Sequence, residues 1–167
     1  LANLNELDDV TLVSKIIDSI ESKYTIDTSR VWAVGFSNGG MLSYQLACEL
    51  SNKITAIGVG SGSLMGKSCS TKQPVSIIHL HGASDTKVLF SGSGFLNTRD
   101  VISNITTVNA QFGCVDVSSS LLEVTGQTTW KWNCQNGVDV QVNRYDGQGH
   151  EWLSAWTKEV IKFLFAH

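Results

Sequence analysis

Apolar residues recur at three- and four-residue intervals through Val10, Val13, Ile16, Ile17, Ile20 and Tyr24. That spacing predicts an amphipathic helix over residues 8–24, capped by Asp8 or Asp9. After the polar turn Asp27-Thr28-Ser29 the pattern changes. Residues 31–36 form an unbroken apolar run, as expected of a strand buried on both faces. A helix from about 39 to 50, a buried strand over 54–60 and a Gly/Ser-rich loop over 61–70 follow. Pro74 then opens a strand over 75–80. Residues 86–97 read as loop around Ser91-Gly92-Ser93-Gly94, and residues 99–112 as a helix. Residues 121–133 read as one extended stretch and Gln135-Asn136-Gly137 as a hairpin turn. Residues 138–145 alternate apolar with polar, as in a half-exposed strand near a sheet edge. A last helix over 152–165 turns Trp152, Trp156, Val160, Phe163 and Leu164 inward.

Strands alternating with helices predict a mostly parallel sheet with helices on both faces, the α/β class, in a single domain spanning residues 1–167. Chemistry in such folds sits outside the carboxyl ends of the strands.

Composition narrows the function classes. The net charge is −3 and 16% of residues are charged, with no Lys/Arg cluster, so nucleic acid is not an expected partner. No apolar run reaches the roughly 18 residues of a membrane helix. Cys48, Cys69, Cys114 and Cys134 have neither CxxC nor zinc-finger spacing, so no metal site is expected. Two disulfides in a secreted or periplasmic protein fit better. Of three connectivities, Cys48–Cys69 with Cys114–Cys134 is favoured because each pair brackets one short excursion. Leu1 opens no charged leader, which reads as a mature or trimmed form. Asn104-Ile105-Thr106 is a glycosylation sequon.

The first buried strand runs into Gly35-Phe36-Ser37-Asn38-Gly39, a G-x-S-x-G set between strand and helix. In that context it predicts a nucleophile elbow, with Ser37 raised on a strained turn and glycines two before and two after it giving room. The Asn38 N–H, at the positive end of the following helix, is placed to bind an oxyanion. A serine needs a base. His150, in the glycine-rich loop Asp146-Gly147-Gln148-Gly149-His150, stands at a strand's carboxyl end. His79 reads as a packing residue, His81 as a residue bordering the site, and His167 as frayed. Asp85, just past the strand over 75–80, is the expected acid; Asp146 is its rival and reads as shaping its own loop. Asp116 and Asp139 are not at carboxyl ends of parallel strands. The order Ser37, Asp85, His150 is that of the α/β-hydrolases.

The combination of Gly35-Phe36-Ser37-Asn38-Gly39-Gly40-Met41, Ala47-Cys48-Glu49-Leu50, Ser61-Gly62-Ser63-Leu64, His79-Leu80-His81-Gly82-Ala83-Ser84-Asp85 and Gly147-Gln148-Gly149-His150-Glu151-Trp152 resembles the polyhydroxybutyrate depolymerase family. Secreted feruloyl and acetylxylan esterases are similar. The resemblance implies a secreted carboxylic ester hydrolase with Ser37 as nucleophile, Asp85 as acid and His150 as base. It also implies a Cys114–Cys134 pair. The chain departs from the family at His150-Glu151-Trp152-Leu153, where His-Thr-Trp-Pro is usual, and at its front. Members begin with several strands and a His-Gly loop that supplies a second oxyanion N–H. A truncated α/β-hydrolase is therefore expected, its nucleophile strand at an apolar edge that pairs with a second copy, or with a preceding segment.

The expected reaction is cleavage of short acyl or aryl esters through an acyl-enzyme, with no cofactor. Trp152, His81 and Ser63 are the expected substrate contacts, with Trp130 and Trp132 as further stacking candidates. Two rivals follow from the same residues: a weakly active or inactive binding protein with half an oxyanion hole, and a peptidase.

Overall fold

A computed structural model describes residues 8–65, 69–94, 96–114, 122–124 and 126–167. The expectation for Asp116 falls outside them. The elements in chain order are α1 (Asp9–Glu21), β1 (Trp32–Phe36), α2 (Asn38–Glu49), β2 (Ala56–Gly60), β3 (Ser76–Gly82), α3 (Val101–Gln111), β4 (Leu122–Val124), β5 (Gln127–Asn133), β6 (Asp139–Tyr145) and α4 (Ser154–Leu164). One six-stranded sheet has the order β1-β2-β3-β6-β5-β4. Its first four strands are parallel, and β5 and β4 continue antiparallel.

Alternation along each strand separates two apolar layers. Ile57, Val59, Ile77, Val140 and Val142 meet α1, α2 and α3 on one face. Ala56, Ile78 and Leu80 meet Trp156, Val160 and Phe163 of α4 on the other. Helices therefore cover both faces of a mostly parallel sheet, as predicted. Cys48–Cys69 ties the end of α2 to the loop after β2, and Cys114–Cys134 ties the segment after α3 to the β5–β6 turn.

Local chemistry explains the boundaries. Asp8 caps α1 by accepting the Thr11 N–H at 2.9 Å. Asp100 caps α3 by accepting the Ser103 N–H at 2.9 Å. The sequon residue Asn104 lies inside α3, buried, and donates its side-chain amide to Ser63 Oγ at 2.7 Å. In the folded chain it is no glycan acceptor.

Several expectations need correcting. Only Val10 and Ile17 of the α1 stripe are buried, whereas Ile16, Ile20 and Tyr24 are exposed. β1 is not buried on both faces: among the described residues it pairs only with β2, and Val34 is 51% exposed. The stretch over 121–133 is two strands, turned at Gly126 with φ +81°. β6 is not near an edge but lies between β3 and β5. Its polar Asn143 and Tyr145 are satisfied by Glu159 of α4, both at 2.7 Å. His167 is not frayed; it bonds Phe163 O at 2.8 Å and Asp139 Oδ2 at 3.0 Å.

Candidate active site

β1 ends against the N-terminus of α2 with no connecting loop. Ser37 therefore takes φ 54° and ψ −116°, a strained backbone that holds its side chain at the turn's apex. The Ser37 N–H donates to Gly60 O at 2.8 Å, which fixes the turn to the end of β2. The tight glycines are not the expected pair. A Cβ on Gly35 would lie 2.1 Å from the Gly39 carbonyl group, and one on Gly40 3.0 Å from Val59, while Gly39 faces open space. The crossing of strand and helix thus needs Gly35, and it leaves Gly40 tight against the Val59 side chain.

β3 delivers Asp85 three residues beyond Gly82. Its Oδ1 accepts the backbone N–H groups of Lys87 and Val88, each at 2.9 Å. The β6–α4 loop delivers His150, and it rests on β3: the Ser84 N–H donates to Gln148 O at 2.8 Å. The three side chains meet in a line. His150 Nδ1 donates to Asp85 Oδ2 at 2.7 Å, leaving Nε2 to accept the Ser37 hydroxyl at 2.9 Å. Asp85 is buried at 2% exposure, while Ser37 and His150 are half-buried and reachable. Burial raises the Asp85 carboxyl pKa, but the hydrogen bonds from His150, Val88 and Lys87 outweigh it, and the net value lies below the ordinary one. Such a line can deprotonate a hydroxyl during attack on a carbonyl. Asn38 opens α2, so its N–H has no acceptor within the helix and points with the positive helix end toward the Ser37 turn.

Of Trp152, His81 and Ser63, only Trp152 has exposed surface. Its ring packs edge-on to Phe36 at 6.4 Å and its Nε1–H donates to Thr157. Phe36 also leans on the His150 ring at 4.9 Å, so Phe36 and Trp152 form one apolar flank of the site. His81 and Ser63 are buried and held by protein partners, His81 by Val88 O at 2.7 Å and Ser63 by Asn104. Trp132 is core. Trp130 stacks on Phe90 at 5.8 Å, with the Arg144 guanidinium over both rings. Asp146 pairs with Arg144 at 3.5 Å and joins no line to His150.

Sequence reasoning passed over Tyr44, whose hydroxyl lies 2.8 Å from His79 Nδ1 in the core. The available signal was His79-Leu80-His81, which sets two imidazoles on one face of a buried strand.

Comparison with known proteins adds four findings. The family model described as Phospholipase/Carboxylesterase matches residues 7–104. The chain is 32% identical over 164 residues to a bifunctional acetylxylan esterase/xylanase of Neocallimastix patriciarum, covering 93% of this chain and 23% of that protein. It is 32% identical over 152 residues to a probable feruloyl esterase C of Aspergillus niger, covering 90% of this chain and 52% of that protein. The chain thus spans about a quarter of one relative and half of the other. In fold it is similar to an acetyl xylan esterase from Aspergillus awamori, with TM-score 0.65 at 14% identity, covering 95% of this chain and 68% of that one.

Proposed function

The chain belongs to the Phospholipase/Carboxylesterase family, an α/β-hydrolase family, and from that premise we propose that it is a serine carboxylic ester hydrolase. Its substrates are short acyl or aryl esters of the acetyl, feruloyl or hydroxybutyrate type. The observation that carries this reading is the continuous hydrogen-bonded line from Ser37 through His150 to Asp85.

Ser37 Oγ attacks the ester carbonyl as His150 Nε2 takes its proton. Asp85 keeps the imidazole in the Nδ1–H tautomer and balances the imidazolium that forms. The Asn38 N–H stabilises the tetrahedral oxyanion. The imidazolium returns the proton to the departing alcohol, and water, deprotonated by His150, then releases the acid from the acyl-enzyme. The feruloyl and acetylxylan esterase relatives support the ester class, and the Phe36–Trp152 flank supports an apolar or aromatic acyl group.

The test is an ester panel of acetate, butyrate, methyl ferulate and hydroxybutyrate oligomers, run on wild type and Ser37→Ala. Turnover that disappears in the variant supports the proposal, and turnover that survives overturns it. If the Asn38 N–H acts without a second donor, wild-type rates fall roughly 10²–10³-fold short of a full oxyanion hole, which is the weakly active reading. Two disulfides and the esterase relatives support an extracellular setting. The side of β1 that pairs with no strand among the described residues is where a second copy would pair, and sedimentation that reports only monomer overturns that pairing.

A further inference from the structure

Two imidazoles and a phenol lie in the core behind the site, His79 and His81 fully buried and Tyr44 at 1% exposure. Burying such groups is costly unless every polar atom is bonded, and the ester-cleavage scheme leaves all three unused. We propose that Tyr44, His79 and His81 form a directional hydrogen-bonded buttress behind Asp85, with His81 as the positioning residue that sets the acid against His150. The inference rests on Ser37, Asp85 and His150 being the reacting groups.

The partners fix the direction of the line. Val88 O can only accept, so His81 Nε2 at 2.7 Å carries a proton. A neutral His81 then has a bare Nδ1, which accepts from His79 Nε2 at 2.9 Å. His79 in turn has a bare Nδ1, which accepts the Tyr44 hydroxyl at 2.8 Å. Each donor points from α2 toward Asp85, so the positive end of the series faces the carboxylate. His81 Nε2 lies 3.4 Å from Asp85 Oδ2. Neutrality fits the surroundings: burial and the neighbouring His81 hold the His79 pKa well below its ordinary value, and burial lowers that of His81.

His81 therefore acts mainly through one residue, Val88. The Val88 carbonyl accepts from His81, and the Val88 N–H donates to Asp85 Oδ1. Holding both ends of that residue fixes the plane of the carboxyl group and so the 2.7 Å bond to His150 Nδ1. The charged and titratable groups around His81 are Asp85 and His150 at the site, His79 and Tyr44 behind, and Arg144 beyond the Phe90 ring, which meets His81 edge-on at 5.6 Å.

The experiment compares wild type, His81→Ala, His81→Gln, Tyr44→Phe and Ser37→Ala on p-nitrophenyl acetate, with imidazole nitrogen and low-field proton NMR of the wild type and the folded His81 variants. His81→Ala is expected to lower kcat about 10- to 100-fold with little change in KM, as an ångström-scale misplacement of a catalytic group does. It should also displace the low-field resonance of the His150 Nδ1 proton. His81→Gln, whose amide N–H can still reach Val88 O, restores most of the rate, and Tyr44→Phe loses less than His81→Ala. If His81→Ala keeps wild-type kcat and resonance while Ser37→Ala is dead, the buttress is overturned and the ester-cleavage reading stands. Activity in Ser37→Ala overturns the reading on which the buttress rests, and the buttress with it. Should His81→Ala fail to fold, the wild-type tautomers decide: neutral Nε2–H imidazoles at both positions support the buttress, and an Nδ1–H tautomer at His81 overturns it.

Discussion

Gly82 lies so close to the histidine loop that a Cβ at this position would sit 2.3 Å from Gln148 O and 2.5 Å from Gly149 O. The end of β3 and the segment carrying His150 are thus in backbone contact, and the acid and the base are positioned by one interface. Gly82→Ala must push these backbones apart. The expected result is a kcat loss of about 10²-fold, since the Asp85–His150 separation changes, with a folding loss of about 1–3 kcal/mol. Steady-state kinetics and urea unfolding on the same sample check both.

Asp85→Asn preserves shape but removes the charge and leaves a side chain able to hold His150 in the wrong tautomer. A kcat loss of roughly 10⁴-fold is expected, as for the corresponding change in a serine protease triad. The fold should survive, because an amide oxygen can still accept from Lys87 and Val88. Circular dichroism alongside kinetics separates loss of chemistry from loss of structure.

Stability should fall on acidification before any carboxylate titrates. His79 and His81 have folded pKa values below the ordinary 6.5, so the unfolded chain takes up protons there that the folded chain refuses. Stability is full above about pH 6.5 and declines below it, by up to about 1.4 kcal/mol per pH unit for each imidazole. Asp85, also lowered, adds its loss only below the ordinary carboxylate value of 3.8. Urea midpoints between pH 8 and pH 5 measure the slope; a flat profile contradicts neutral buried imidazoles in the native state.

The two disulfides close segments with sequence separations of 21 and 20 residues. Reducing either is expected to cost about 3 kcal/mol through the greater freedom of the unfolded chain. Neither cysteine pair contributes a side chain to the Ser37–His150–Asp85 line. Cys48→Ser with Cys69→Ser should therefore lower Tm while leaving kcat near wild type at 20 °C. Thermal melts paired with kinetics test this.

β1, β2 and β3 were legible as strands because each is a short apolar run. G-x-S-x-G could be placed on a strand–helix junction for the same reason. β6 was misread because polarity was taken for exposure. Asn143 and Tyr145 look like solvent-facing positions until Glu159, 16 and 14 residues on, is seen to accept from both. The roles of the elbow glycines depend on where β2 passes, which a local pattern does not contain: Gly40 is confined by Val59, 19 positions later in the sequence. Tyr44 and His79 are brought together by helix–sheet packing across a separation of 35 residues. Among the described residues the corner between β4 and β5 is marked by Gly126 at positive φ, too slight a mark to split an extended stretch. The approach of Asp85 and His150 follows from the sheet order, with β3 and β6 adjacent.

The buried amide of Asn104 carries a consequence for biosynthesis. Oligosaccharide transfer acts on chains that have not yet folded, and Asn104-Ile105-Thr106 is open to it only until α3 docks and the amide binds Ser63. In a host with that machinery, attachment and native packing compete for the same nitrogen. A molecule that receives the sugar is barred from closing this face of its core, and secretory quality control would hold it back. Natively packed molecules would then be unglycosylated at Asn104, selected by the fold itself.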